Sequence, residues 1–490
     1  MSITKFLAFD LGAESGRAIV GILDGEKIML EEIHRFRNRQ VKTGNGIYWD
    51  VPYLFMEIKR GLSLAVIKGH KEIRSIGLDT WGVDFGMLGK SGELLELPHT
   101  YRDSRTEGIP EKVFRKIPFR EIYELTGIQF MKINSLYQLY SVKINNEPLL
   151  KKCDKILFIS DLFNYLLTGN KKSEFTIAST SQFLNVKTGM FEERIFSALG
   201  ISSEITCPVV QPGTVIGKLL PEISKETGLG DVDVMAVGCH DTASAVAAVP
   251  GEGNDWAYLS SGTWSIMGIE SDVPLIHNNL NYEFTNEGGV NDTFGFSKNV
   301  TGMWLIQQVK KIWEKSGEKF TYDQIMEMAK NANSFVCYIN SDDNSFDNPA
   351  NMIEAIDNFC LQTAQKTPAT KGEYIRSILE SLALKYREVA GKLEKASGRK
   401  INKIHIVGGG SQNELLNRLT ADATGRRVCA GPVEATALGN IIMQAVFAGR
   451  IESLSKAREL ISVCFPQKTY SPHEDGYNNW DNASTFLSRI

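Results

Sequence analysis

The sequence contains no C-x-x-C pair: its seven cysteines stand singly along 490 residues. That argues against a zinc site or a disulfide framework and leads us to expect reduced thiols in a cytoplasmic setting. An excess of one charge is also missing. Lys and Arg number 54 against 58 Asp and Glu, a net charge of −4. Such a balance predicts no attraction to nucleic acid or an anionic membrane. Long apolar runs are lacking too. "LGNIIMQAVFAG" (Leu438–Gly449) is 12 residues, short of the roughly 18 that suggest a membrane span. "MSITKFLAFDLG" reaches Asp10 before a signal-peptide core can form, so no leader is expected. The G-x-x-x-x-G-K-[ST] phosphate loop is absent. "YRDSRT" (101–106) lacks the partner motifs of a protein kinase.

Two hairpin-like stretches carry the organisation. "KFLAFDL", "RAIVGIL" and "KIMLEEIHRF" are strand-like runs separated by "GAESG" and "DGE", a spacing that predicts an antiparallel meander. A second meander begins at Trp256 with "WAYLSSGTWSIMGIE". The two form an internal repeat about 250 residues apart. Strand-then-helix patterns follow in each half: "IRSIGLDTWGVDFGML" (73–88), and "INKIHIVGGGSQNELLNRLTADATGRRV" (401–428) with Leu415, Leu416 and Leu419 at helical spacing. No low-complexity linker separates the halves, and "VPGEGNDWA" is the best boundary. The chain therefore reads as two similar α/β domains, residues 1–248 and 249–490, facing a common cleft.

Six motifs carry candidate chemistry. "DLGAESGR" (Asp10–Arg17) places a carboxylate at a strand end before a turn rich in Gly and hydroxyls. Exposed N–H groups in such a turn bind phosphate, and Asp10 suits a hydrated Mg²⁺; an empty hairpin is the alternative. "SSGTWS" (Ser260–Ser265) is the matching turn in the second half. "VGGGSQN" (Val407–Asn413) offers three side-chain-free residues on which a nucleotide base or ribose can rest. "CHDTASA" puts His240, Asp241 and Thr242 at a strand-to-helix junction. Asp241 there is either a helix cap or a base that accepts a hydroxyl proton, and a helix N-terminus would lower its pKa. "DTWGVDF" and "YRDSRT" read either as ion-paired loops or as a polyol site. In the polyol reading the carboxylates bind hydroxyls while Trp81 and Phe85 cover C–H faces.

Taken together, and in this order, the motifs resemble the FGGY carbohydrate kinases. The likeness runs from "AFDLGAESGR" to "GPVEATALGNIIMQA" and includes "NSLYQL", "ISDLFNYLLTG", "TNEGG" and "MWLIQQ". It implies two tandem α/β domains of the actin/hexokinase/Hsp70 (ribonuclease H-like) type around a catalytic cleft, an N-terminal sugar-binding and a C-terminal nucleotide-binding one. It implies ATP-dependent phosphorylation of a small-molecule ketose, with Mg²⁺. By the same resemblance Ala13, Glu14, Ser15, Gly16 and Arg17 contact ATP phosphates, and Asp10 lies near the metal. Thr263, Gln307 and Gly409 contact ATP. Gly82 (through its backbone), His240, Asp241, Thr242 and Asn299 contact the sugar, with Asp241 as base. Glu14 departs from the usual small or hydroxylated residue, so its anionic side chain is expected to point away from phosphate. An actin-like ATPase switch and a silent sugar sensor are the non-enzymatic alternatives.

Overall fold

The computed structural model describes residues 3–44, 46–276, 283–347, 349–473, 477–487 and Arg489. The chain packs as two units. The first comprises Met1–Pro250, Glu270–Phe296 and Ala435–Cys464; the second comprises Gly251–Ile269, Ser297–Glu434 and Phe465–Ile490.

The first unit is built on β1 (Thr4–Leu11), β2 (Ser15–Asp24) and β3 (Lys27–Arg37), the expected meander, antiparallel throughout. β4 (Ile73–Thr80) then runs parallel to β1, followed by β5 (Val215–Lys218) and β6 (Asp233–Met235). The six-stranded order is β5-β6-β4-β1-β2-β3. From Phe6 on, central β1 is apolar apart from Asp10, and Leu7, Phe9 and Leu11 are wholly buried, as a strand covered on both faces requires. Helix α1 (Val51–Ile67) covers one face with Leu54, Ile58 and Leu62. Its start is fixed by Asp50, which accepts the Tyr53 N–H at 3.1 Å.

A helix from far down the chain completes this unit. In α7 (Ala435–Phe447), Asn440 donates to Asp79 at 2.6 Å, and Gln444 donates to the Leu7 carbonyl at 3.2 Å and accepts from Ser75 Oγ at 2.7 Å. A Cβ on Gly439 would lie 1.7 Å from the Ser244 carbonyl oxygen in α3 (Asp241–Ala247). The two helices thus meet backbone to backbone, and only glycine fits there.

The second unit repeats the plan. Its hairpin is β7 (Trp256–Ser261) and β8 (Trp264–Ser271), with β9 (Phe294–Thr301) beyond it. Strands β10 (Lys403–Val407) and β11 (Arg427–Ala430) follow in parallel, then antiparallel β12 (Lys468–Tyr470). Six consecutive strands of a seven-stranded sheet run β9-β8-β7-β10-β11-β12, which reproduces the hairpin-plus-parallel-strand pattern of the first unit and is the internal repeat made structural. All seven cysteines are free thiols. Among the described residues no helix is long and apolar enough to cross a membrane.

Candidate active site

Three carboxylates gather at the C-terminal ends of the first unit's parallel strands, where ligands of α/β sheets bind. Asp10 and Asp79 are register partners on β1 and β4. Asp241 opens α3, and that junction is tied to the end of β4 by the Thr80 N–H, which donates to the Cys239 carbonyl at 2.9 Å. Arg17 faces Asp10 across the β1–β2 hairpin and pairs with its carboxylate. Asp79 has no exposure; Asn440 bonds its Oδ2, and its Oδ1 has no partner among the described residues. Burial, reinforced by the charge of Asp10, pushes Asp79 well above the usual carboxylate range.

Asp241 keeps 32% of its side chain exposed, so a substrate hydroxyl has access to it. The N-cap of α3 is His240, with no side-chain cap hydrogen bond; Thr242 Oγ1 donates to Asp241 Oδ1 at 3.2 Å. The expected lowering of this pKa by the helix N-terminus is reversed. Burial first, then the charge of Asp10, raise it to about 7, and one helix end does not offset them. If Asp241 is the base, it must be ionised to act. We therefore expect kcat/KM to fall tenfold per pH unit below about 7 and to level off above it; a flat profile from pH 5.5 to 8 would contradict that role.

His240 is buried, its Nε2 3.4 Å from Asp241 and its Nδ1 3.4 Å from Glu287. Burial lowers its pKa, which keeps the ring neutral at pH 7. Glu287, which the sequence reading did not single out, is itself pushed up by burial. The signal for it was its place in "TNEGG". Gly82 lies in a tight turn: its carbonyl accepts the Asp84 N–H at 2.9 Å around Val83, whose φ is 67°. A β-branched residue there stores about 1–3 kcal/mol of strain. Thr180 Oγ1 accepts the Val83 N–H at 3.1 Å and holds the turn.

The polyol reading of "DTWGVDF" is corrected. Asp84 is 1% exposed and accepts four bonds, from Trp49 Nε1 (2.6 Å), Trp81 Nε1 (3.0 Å), Gln138 Nε2 (2.9 Å) and the Tyr101 N–H (3.1 Å). Trp81 and Phe85 are buried in the core. Asp103 binds the Ile47 and Arg105 N–H groups at 2.7 and 2.8 Å, and Arg105 donates to Gln138 at 2.6 Å. Asp84 and Asp103 thus hold loops together, their carboxylates engaged with protein partners.

Of the first turn's residues, Ala13 is half-buried against the core and Glu14 is exposed. Ser15, Gly16 and Arg17 begin β2. The Gly12 N–H closes the turn on the Ser15 carbonyl at 2.9 Å. Gly16 is glycine for packing, since a Cβ would lie 2.4 Å from the Phe36 ring.

In the second unit the Gly262 N–H closes the matching turn on Trp264 O at 2.9 Å. Thr263 Oγ1 accepts from Gln307 Nε2 at 3.3 Å, which brings those two together. The start of α4 (Trp304–Lys315) grips the same turn: Met303 N–H donates to Gly262 O at 3.0 Å, and Trp304 N–H to Thr263 O at 3.2 Å. Gly409 follows Gly408 (φ 79°) after β10, and a Cβ there would meet open space. A flat ligand can therefore approach that backbone. Asn299 is half-buried on β9.

Two units of this topology, each built on a β-hairpin beside parallel strands, match the two-domain α/β architecture that the resemblance implied. The chain belongs to the FGGY family of carbohydrate kinases: the N-terminal domain of that family matches residues 5–248 and the C-terminal domain residues 257–448. Among curated proteins it is 45% identical over 480 residues to a rhamnulokinase of Bacteroides thetaiotaomicron, covering 98% of both chains. It is 40% identical over 470 residues to a rhamnulokinase of Bacillus subtilis, covering 96% of each. Among solved structures, a gluconate kinase from Lactobacillus acidophilus superposes with a TM-score of 0.83 at 17% identity, covering 100% of this chain and 98% of that one. A glycerol kinase from Plasmodium falciparum with ADP gives 0.79 at 14%, covering 99% and 97%. These last two speak for the fold.

Proposed function

We propose that this kinase transfers the γ-phosphoryl group of ATP to the 1-hydroxyl of L-rhamnulose, yielding L-rhamnulose 1-phosphate and ADP. The observation that carries the reading is the 45% identity, along 98% of the chain, to a protein named rhamnulokinase. The Gly82 backbone, His240, Asp241, Thr242 and Asn299 are assigned to the sugar. Ala13–Arg17, Thr263, Gln307 and Gly409 are assigned to ATP. Asp241 orients the 1-hydroxyl and takes its proton as the oxygen bonds to phosphorus and the bond to the ADP oxygen breaks. A pKa near 7 suits a base working at neutral pH better than an ordinary aspartate does.

Mg²⁺ fits the residues present. The ion prefers one or two carboxylates plus phosphate oxygens; Asp10 at the end of β1 supplies one, and among the described residues no group of three acidic, His or Cys side chains forms a ready-made metal cage. Asp10 would hold it. When bound, the ion neutralises charge on the transferring phosphoryl group.

A coupled ADP-release screen tests the substrate. L-Rhamnulose is expected to give the highest kcat/KM, with L-fuculose next. L-Xylulose, which lacks the terminal methyl, is expected to fall about 10–200-fold, with D-xylulose and glycerol weakest. A screen led by D-xylulose or glycerol would overturn the substrate assignment and leave the family unaffected.

A further inference from the structure

The position of Asp241 is set by the five residues before it, Ala236 to His240, which run between the end of β6 and the start of α3. On one side this segment is tied to Thr80. On the other it meets a buried polar chain that the reaction scheme does not use. Glu174 has no exposure at all. It accepts the Thr176 N–H at 2.9 Å, the Thr176 hydroxyl at 2.6 Å and the Ile177 N–H at 3.0 Å. The Glu174 N–H itself donates to Asp161 at 3.0 Å. Thr176 Oγ1 in turn accepts the His240 N–H at 3.0 Å. A hydroxyl has one proton. With that proton committed to Glu174, the lone pair of Thr176 is directed at His240, the residue next to Asp241.

Burying a carboxylate this completely is costly, and capping a five-residue helix (Phe175–Ser179) does not account for it; a neutral side chain would serve. A multiple acceptor that cannot rotate accounts for it better. We propose that Glu174 and Thr176 are positioning residues for the phosphoryl-transfer step, holding the His240 backbone and through it the carboxylate of Asp241. This rests on the reading of Asp241 as the base. Displacing a catalytic group by about 1 Å costs on the order of 100-fold in rate, so the anchor has a kinetic signature.

Thr176→Val keeps the shape of the side chain and removes the bridge. It is expected to lower kcat about 10–100-fold with little change in KM for ATP, while Thr176→Ser restores the rate to within about twofold. Because the anchor acts through Asp241, Thr176→Val placed on Asp241→Asn is expected to cost nothing further, the non-additivity of residues that act as a unit. Thr176→Val that lowers only the melting temperature and leaves kcat intact, beside an inactive Asp241→Asn, overturns the positioning role alone. So does a loss that persists in full on the Asp241→Asn background. A fully active Asp241→Asn overturns the base assignment itself.

Discussion

Asp241→Asn is expected to lower kcat by about 10²–10⁴-fold, the usual cost of removing a general base, while making the protein more heat-stable at alkaline pH. The second half follows from linkage. In the unfolded chain Asp241 loses its proton near 3.8; in the folded protein burial and Asp10 hold it until about 7. Between those values the native state binds more protons than the unfolded one, so its stability falls as pH rises. Above pH 7 the whole penalty is present, and the neutral asparagine removes it. The variant is thus expected to melt higher than wild type at pH 8, with the gap closing toward pH 4. Calorimetry at the two pH values and steady-state rates test both halves. A variant less stable than wild type at pH 8 would show that the buried carboxylate of Asp241 stabilises the fold and would contradict the linkage argument; one retaining more than half of wild-type kcat would remove the base role.

Gly439→Ala is expected to be the most damaging small substitution in the first unit. The added methyl would sit 1.7 Å from Ser244 O and 2.6 Å from Ser244 C. Both are backbone atoms of α3, so no rotamer change relieves the clash. Overpacking of this kind costs about 1–3 kcal/mol and sometimes more, and at a backbone contact the upper end is expected. In a unit of this size the upper end is roughly 5 °C in melting temperature. Parting α7 from α3 also displaces Asp241, so kcat should fall at temperatures where the protein is still folded. Gly391→Ala is the control. It lies in a helix, Lys371–Ser397, with nothing within 4 Å of the new Cβ, and should gain about 0.5–1 kcal/mol. Equal melting temperatures for the two variants would refute the packing argument.

The hairpins, the parallel strands after them and the junction at Asp241 were legible because each is written locally. Apolar runs broken by "GAESG" or "SSGTWS" dictate strand, turn and strand. What was not legible depends on residues distant in sequence. Asp84, between Trp81 and Phe85, has the composition of a sugar-binding edge; that it is a buried acceptor is decided by Trp49 and Gln138, 35 and 54 residues away. The pKa of Asp241 was misjudged for the same reason: the helix end is local, whereas burial and Asp10 come from the fold. Asn440 lay hidden within a stretch that reads as merely apolar, and nothing near it announces Asp79 as its partner.

The late arrival of α7 has a consequence for synthesis. Until Ala435–Phe447 emerges from the ribosome, Asp79 lacks the Asn440 bond and the groove over Gly21, which Ile441 fills, stays open. Translation proceeds at about 5–20 residues per second, so the segment from Pro250 to Ala435 keeps the nascent first unit unfinished for about ten to forty seconds. During that interval its sheet is assembled but its last wall is missing. A stall or truncation anywhere in this stretch leaves the first unit without the contacts of Asn440 and Ile441, and apolar surface left open in this way is what chaperones shield.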